Sequence, residues 1–366
     1  MDTLEIFLIC PPGLQNLLAT EAREKGFVVT SMISGGVTMK GNWHDVWRAN
    51  LVIRGAVRVL VRIASFPVTH LAHLDKLSRK IPWNNWLRTD VPIKVDAVCR
   101  KSKIYHEKAA AERVARAASE ALKVPLGEGG ISIRVRIEDD HCVVSLDTSG
   151  APLHKRGVKV QVNKAPMREN LAALFLRACD YDGSEPVVDP MCGSGTFVIE
   201  AAEIAQGMFP GRNREFAFEN FAEFSKSTFT DMKTNSAPQS DKPRFYGSDR
   251  DAGAVAMSRA NAERAGVTNV TSFSHIPLSE AVPPEGRCGL VIVNPPYGAR
   301  VGASKSLHGL YAGFGARMRA VYAGWRVGMI TTDRALVQAT GLPFSKPGPV
   351  VDHGGIKVRL YQCELA

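Results

Sequence analysis

Between residues 91 and 99 apolar side chains take every second position: Val91, Ile93, Val95, Ala97 and Cys99. That is the period of a strand with one buried face. The alternation returns in "ISIRVRIEDDHCVVSLDTSG", where Ile131, Ile133, Val135 and Ile137 alternate with Arg134 and Arg136 up to a turn at 138–140. Between the two strands the period lengthens. "KSKIYHEKAAAERVARAASEALK" sets Ala110, Val114, Ala117 and Ala121 at helical spacing, which predicts a basic, alanine-rich helix. Upstream, "LEIFLIC" predicts a strand, and "PPGLQNLLATEAREKG" a helix opened by proline and closed at Gly26. "FVVTSMI" and "VTMKG" predict a hairpin across a Gly-Gly turn, followed by a helix in "NWHDVWRANL" and a strand in "AVRVLVRIASF".

The first six elements therefore run β-α-β-β-α-β, the ferredoxin-like order, and a second small α/β unit follows. The rest of the chain alternates strand and helix. "APMRENLAALFLRACD" predicts a helix started by Pro166, and "PVVDPMCGSGTFVIEAAEIA" a short buried strand, a glycine loop and a helix from about Thr196. "RFYGSDRDAGAVAMSRANAERAGV" predicts a second strand, with a helix ending near Gly266; "NVTSFSHI" is a third strand and "VIVNPPYG" a fourth. An insert, "FPGRNREFAFENFAEFSKSTFTDMKTNSAPQSDK", separates the first two of these strands, and its polar tail reads as a surface loop.

A strand, glycine loop and helix in succession form a cofactor cradle, because glycines let the backbone approach a ligand and a helix N-terminus offers free amides. The loop runs through Asp189, Pro190, Met191, Cys192, Gly193, Ser194, Gly195 and Thr196. No Lys follows Gly195, which excludes a phosphate-binding P-loop, and Val198 stands where a dinucleotide motif needs its third glycine. A loop that begins with an acid suits a positively charged ligand, and S-adenosylmethionine carries both a sulfonium and an ammonium group. An acid past the next strand is expected to take ribose hydroxyls. Asp249, with Arg250 beside it, fills that place, while Asp251 reads as a helix cap.

The fourth strand must stop at Asn294, because Pro295 and Pro296 cannot donate to a sheet ladder. At the carboxyl end of a doubly wound sheet such a turn lies beside the ligand. The Asn294 side-chain oxygen and the Pro295 carbonyl are two fixed acceptors for a planar exocyclic NH2, and Tyr297 offers a ring to stack on the base that bears it. A plain strand terminator is the competing reading of Asn-Pro-Pro.

Charge divides the chain. Residues 1–165 carry 25 Lys and Arg against 16 Asp and Glu, whereas residues 166–366 carry 21 against 20. The excess points to a polyanion gripped by the N-terminal half. Lys101, Lys103, Tyr105, His106 and Lys108 cluster where a strand meets a helix, and Lys155, Arg156, Lys159 and Lys164 follow the hairpin. A solvated charged face is the plainer account of both groups, although Tyr105 among bases could stack on an unpaired nucleotide. Seven scattered cysteines without a Cys-x-x-Cys pair suggest neither a disulfide framework nor a zinc site, and His70 and His73 lack acidic or thiol partners. No metal is expected. The opening "MDTLEIFLICPP" has no basic leader and no apolar run approaches a membrane span, so a monomer in a reducing cytoplasm is expected.

"KSKIYHEKAAAERV", "SLDTSGAPLHKRGVK", "APMRENLAALFL", "DPMCGSGTFVIEAA", "REFAFENF", "YGSDRDAGAVAMSRANA" and "NPPYGARVG" occur in the order found in the THUMP-domain RNA methyltransferases, and the chain resembles that family over nearly its whole length. The resemblance is to the branch that methylates guanine N2 and is often labelled N6-adenine DNA methylase. It implies a ferredoxin-like domain at 1–66, a THUMP RNA-binding domain at 67–164, and a Rossmann-like methyltransferase with a doubly wound, mostly parallel α/β sheet at 165–366. It implies methionine-end binding by Asp189 to Thr196, ribose binding by Asp249, amine positioning by Asn294 to Tyr297, and ribosomal or transfer RNA as substrate.

Two departures stand out. Many relatives carry an Asp after the third strand to hold the cofactor's adenine, where this chain has "SFSHIPLSEA" with Ser274 and His275, and the longer bacterial relatives fuse a second methyltransferase half. Rival readings are an adenine-N6 methyltransferase acting on DNA or RNA, a glutamine methyltransferase, and an RNA-binding protein that has lost catalysis. The first generally needs a separate target-recognition domain, the second leaves the basic half unexplained, and the third is at odds with an intact motif set.

Overall fold

The chain divides into two units in a computed structural model that describes residues 3–127, 129–159, 167–234, 244–297 and 304–366. The first unit contains residues up to 10, 19–153 and 214–234, and the second contains 11–18, 154–213 and the residues from 235 onward.

The N-terminal elements follow the ferredoxin-like order β1 (Leu4–Ile9), α1 (Gln15–Glu24), β2 (Val28–Ile33), β3 (Gly36–Gly41), α2 (Trp43–Val52) and β4 (Arg58–Pro67), all but the start of α1 in the first unit. Asn42 caps α2 by accepting the Asp45 amide while Asp45 accepts the amide of Asn42, a reciprocal capping box. There follow α3 (Leu71–Ser78), β5 (Ile93–Arg100), α4 (Glu107–Leu122), β6 (Ile131–Glu138) and β7 (His141–Asp147). His70 is spent locally, its Nδ1 accepting the His73 amide at 3.1 Å to cap α3.

The strands of both expected N-terminal domains lie in one seven-stranded sheet, ordered β2-β3-β1-β4-β7-β6-β5. The join is the antiparallel pairing of β4 with β7, Leu60 opposite Asp147 and Pro67 opposite His141. β6 buries Ile131, Ile133, Val135 and Ile137, as its alternation predicts. In α4 the apolar face is Ala110, Val114, Ala117, Ala118 and Leu122. Ala121 is exposed, contrary to the spacing read from the sequence, and the last contact on that face falls to Leu122 one residue on. "KSKIYH" precedes the helix rather than forming its first turns.

The second unit opens with α5 (Glu169–Ala178), β8 (Val187–Asp189) and α6 (Thr196–Ala205). Pro166, expected to start α5, lies outside the described residues, and Arg168 occupies the N-cap. The insert then leaves this unit: residues 214–234, including α7 (Lys226–Lys233), group with the first. Phe218 is fully buried there, stacked on Trp47 at 6.2 Å and flanked by Phe216 and Phe229 at 5.0 Å each. Aromatic pairs of this kind contribute about 0.5–1.5 kcal/mol each beyond area burial. The polar tail of the insert, 235–243, lies outside the described residues.

The remaining elements are β9 (Phe245–Asp249), α8 (Ala252–Ala265), β10 (Thr271–His275), β11 (Leu290–Val293), α9 (Ser304–Val321), β12 (Arg326–Thr331), α10 (Arg334–Ala339), β13 (Val351–His353) and β14 (Ile356–Glu364). The sheet order is β10-β9-β8-β11-β12-β14-β13, with β10 through β12 parallel, β14 antiparallel to β12, and β13 antiparallel to β14. β11 is buried at every position, as a strand covered on both faces must be.

Candidate active site

Strand register gathers the predicted polar residues at one rim. Asp189 lies opposite Gly247 on β9, and Val188 opposite Val291 on β11. Asp249 and Asn294 therefore both lie two residues beyond the level of Asp189, one on each side of it. At roughly 3.3 Å per residue and 4.8 Å per strand, the three polar tips fall within about 10 Å of one another.

Each tip has a distinct environment. Asp189 is 3% exposed, and its Oδ1 accepts the Met191 amide at 3.1 Å. Burial pushes its carboxyl up to about 8, with the Asp249 charge adding and the Met191 amide opposing. An acid in that state is matched to a cationic ligand that restores its charge. Asp249 Oδ2 accepts the Gly193 amide and Oδ1 the Asp251 amide, both at 3.0 Å, which leaves further lone pairs on the carboxylate for hydroxyl donors. Asp251 itself caps α8 through the Gly253 amide at 2.8 Å.

The glycine loop is pinned from below. Ser258 donates to the Gly193 carbonyl at 2.9 Å and Asn261 to the Ser194 carbonyl at 3.0 Å. Both side chains project from α8 at a spacing of three and are buried, a polar pair on an otherwise apolar face that the sequence could have disclosed. Gly195 has φ +78, and a Cβ there would lie 3.1 Å from Ser258 and 3.2 Å from Phe273. It is the N-cap of α6 and supplies no side-chain cap, so the first amides of that helix are open to an anionic group. Lys159 Nζ donates to Thr196 Oγ1 at 2.7 Å and to the Met167 carbonyl at 3.2 Å, and lies 3.5 Å from Glu169. Lys159 is thus an internal strut of the cradle, not one of the surface bases among which the sequence placed it.

At the fourth-strand tip, Asn294 Oδ1 is buried and has no hydrogen-bond partner among the described residues. An orphaned buried acceptor costs about 1–3 kcal/mol, which a substrate donor would recover. The Pro296 carbonyl, by contrast, is within 3.3 Å of the Tyr311 hydroxyl, and the Tyr297 hydroxyl is 3.3 Å from His353 Nδ1. Burial pushes the Tyr297 phenol up to about 12. Nothing in the local sequence marks Tyr311 or His353; only the tertiary fold brings them to the turn. Gly298 and the next five residues lie outside the described residues. At the end of β10 the His275 ring nitrogen Nε2 lies 3.0 Å from the Arg250 carbonyl and so donates to it.

The expected RNA-contact residues separate. Lys101, Lys103, Tyr105, His106 and Lys108 share the loop before α4 and its first turn; Tyr105 is 71% exposed, with its ring 4.1 Å from that of His106. Lys103 is 3.8 Å from Asp140. Lys155 is exposed and belongs to the second unit. Arg156 is a correction: its side chain is 2% exposed and paired at 3.2 Å with the equally buried Glu200, so it presents no charge to a phosphate. Lys164 lies outside the described residues.

A sheet of this order, polar at the tips of its first, second and fourth parallel strands, places the second unit among the Rossmann-like methyltransferases. The chain belongs to the RMKL-like methyltransferase domain family, whose model matches residues 156–346, and it also carries an RlmL ferredoxin-like domain at 5–60 and a THUMP domain at 68–147. It is 32% identical to a ribosomal RNA large subunit methyltransferase K/L of Psychromonas ingrahamii, over 94% of this chain and 48% of that protein. The chain spans about half the length of the curated relatives it matches. Among solved structures, a protein from Clostridium difficile 630 described as a possible methylase superimposes with TM-score 0.92 at 29% identity, covering 100% of this chain and 99% of its own. A protein described as a methyltransferase complexed with SAH gives TM-score 0.90 at 28% identity, covering 100% and 99%. In these comparisons the expected family and fold class are met.

Proposed function

We propose that the chain transfers a methyl group from S-adenosylmethionine to an exocyclic amine of a base in structured RNA, with guanine N2 of ribosomal RNA as the leading target. The observation that carries this reading is the orphaned Asn294 Oδ1 at the tip of β11, beside the glycine cradle. The structure of a relative complexed with SAH supports the cofactor, and the activity named for the Psychromonas relative supports the substrate.

The residues fit the cofactor. Asp189 and the loop to Thr196 would hold its methionine end, and Asp249, with Arg250 beside it, would hold the ribose. When bound, the cofactor supplies an electrophilic methyl group. Asn294 Oδ1 and the Pro295 carbonyl would accept both N–H groups of the target amine, fixing it in line and drawing its lone pair out of conjugation with the base. The bond formed would be nitrogen to methyl carbon and the bond broken carbon to sulfur, whose electrons would remain on sulfur. One amine proton leaves to solvent. Alignment and electrostatic positioning carry the barrier, so no strong base is needed. Lys101, Lys103, Tyr105, His106 and Lys155 would contact RNA.

Nucleoside mass spectrometry of RNA from a deletion strain tests the reading. Loss of one N2-methylguanosine is expected. Loss of N6-methyladenosine instead would favour the adenine reading, and an unchanged profile would sink both.

A further inference from the structure

The turn after β11 is fastened on two sides. Tyr311, on α9, is 1% exposed, and its hydroxyl lies 3.3 Å from the Pro296 carbonyl and 3.0 Å from Thr331 Oγ1. A carbonyl can only accept, so Tyr311 donates its single proton to Pro296, and Thr331 must donate to Tyr311. On the other side Tyr297 meets His353, which is 6% exposed and ends β13, the far edge strand. Gly354 and Gly355 follow with φ +64 and +84, a conformation that lets the β13–β14 hairpin reverse immediately after the histidine.

A ring that stacks on a base must keep one plane. Tyr297 stands on an irregular turn with its ring half-buried, and a bond at the far end of that ring fixes its plane further. We infer that His353 is a positioning residue for methyl transfer: through the Tyr297 hydroxyl it sets the plane of the ring against which the target base stacks. Tyr311 holds the carbonyl just before Tyr297, so the two braces bracket the ring while Asn294 Oδ1 stays open to the amine. The inference rests on the proposed function above and deepens its account of the same turn.

The test uses the full chain, S-adenosylmethionine and unmodified large-subunit ribosomal RNA transcribed in vitro. His353→Phe fills the space without a hydrogen-bonding atom and should lower kcat about tenfold, the upper end of what one hydrogen bond supplies. KM for S-adenosylmethionine should stay unchanged. His353→Asn, whose side-chain amide can donate or accept near the place of Nδ1, should recover most of the loss. In a Tyr297→Phe background, adding His353→Phe should cost nothing further. Full kcat in His353→Phe, or an equal loss in both backgrounds, overturns the inference. If the wild type binds S-adenosylhomocysteine yet methylates no RNA, it is the substrate reading that fails. The brace is then read by NMR of Tyr297 labelled at Cζ: the resonance should move in His353→Phe, and an unmoved resonance overturns the brace independently.

Discussion

Arg156 and Glu200 form an ion pair at 3.2 Å in which each side chain is 2% exposed. A buried pair is costly to assemble, but breaking it is costlier, because the partner keeps its charge without water; removal of one member typically costs about 3–5 kcal/mol. Arg156→Ala should therefore lower the melting temperature markedly, whereas Arg156→Met with Glu200→Leu should recover much of the loss. Thermal unfolding of both variants checks this. An Arg156→Ala protein as stable as the wild type would return Arg156 to the surface set.

Asn294→Ala should separate binding from turnover. Asn294 Oδ1 has no partner within the described protein, so its removal leaves no buried group stranded, and the cradle of Asp189 and Asp249 is untouched. Calorimetry should find nearly unchanged affinity for S-adenosylhomocysteine, while methyl transfer falls more than about tenfold, a barrier increase of at least 1.4 kcal/mol. A smaller fall would mean that the amide does not hold the amine.

Asp189 predicts a pH dependence of cofactor affinity. Its carboxyl is raised by burial to about 8, so below that pH the free protein holds a proton there. Pairing with the ligand ammonium requires the charged form, so the proton must leave on binding. Affinity for S-adenosylhomocysteine should rise between pH 6 and pH 8, by up to about tenfold per unit for one proton. Asp189→Asn should bind more weakly, with little slope over that range. Titration calorimetry in buffers of different ionisation enthalpy measures the released proton directly, and a flat wild-type profile would dissociate Asp189 from the ammonium.

These predictions lean unequally on what the sequence discloses. Asp189, Asp249 and Asn294 were legible because each stands where a buried strand meets a glycine, an acid or a proline, and those local signals coincide with the strand ends. The insert was legible only as an insert: Phe218 and Trp47 are 171 residues apart, and no periodicity links them. The union of the N-terminal strands into one sheet depends on β4 pairing with β7, a register set by which faces are buried in three dimensions. Arg156 and Lys155 are neighbours of identical charge, yet one is buried and the other exposed. Composition cannot separate them; only the place of Glu200 on α6 does.

The salt dependence of RNA binding tests the exposed bases that remain. If Lys101, Lys103 and Lys155 each neutralise a phosphate, log affinity should fall linearly with log salt, and each lost contact should reduce the slope by about 0.7–0.9. Replacing all three with Ala should thus flatten the slope by roughly two to three and weaken binding most at low salt. Lys103 already lies 3.8 Å from Asp140, an exposed pair of little strength, so it can exchange that partner for phosphate. Lys101 and Lys103 lie in the first unit and the glycine loop and the Asn294 turn in the second, so replacing those two should leave affinity for S-adenosylhomocysteine unchanged. Filter binding of unmodified ribosomal RNA fragments across a salt series, for wild type and triple variant, measures the slopes, and calorimetry supplies the control. Parallel slopes would reduce these lysines to a solvated face, and the case for RNA would then rest on the Asn294 turn, the THUMP domain and the relatives alone.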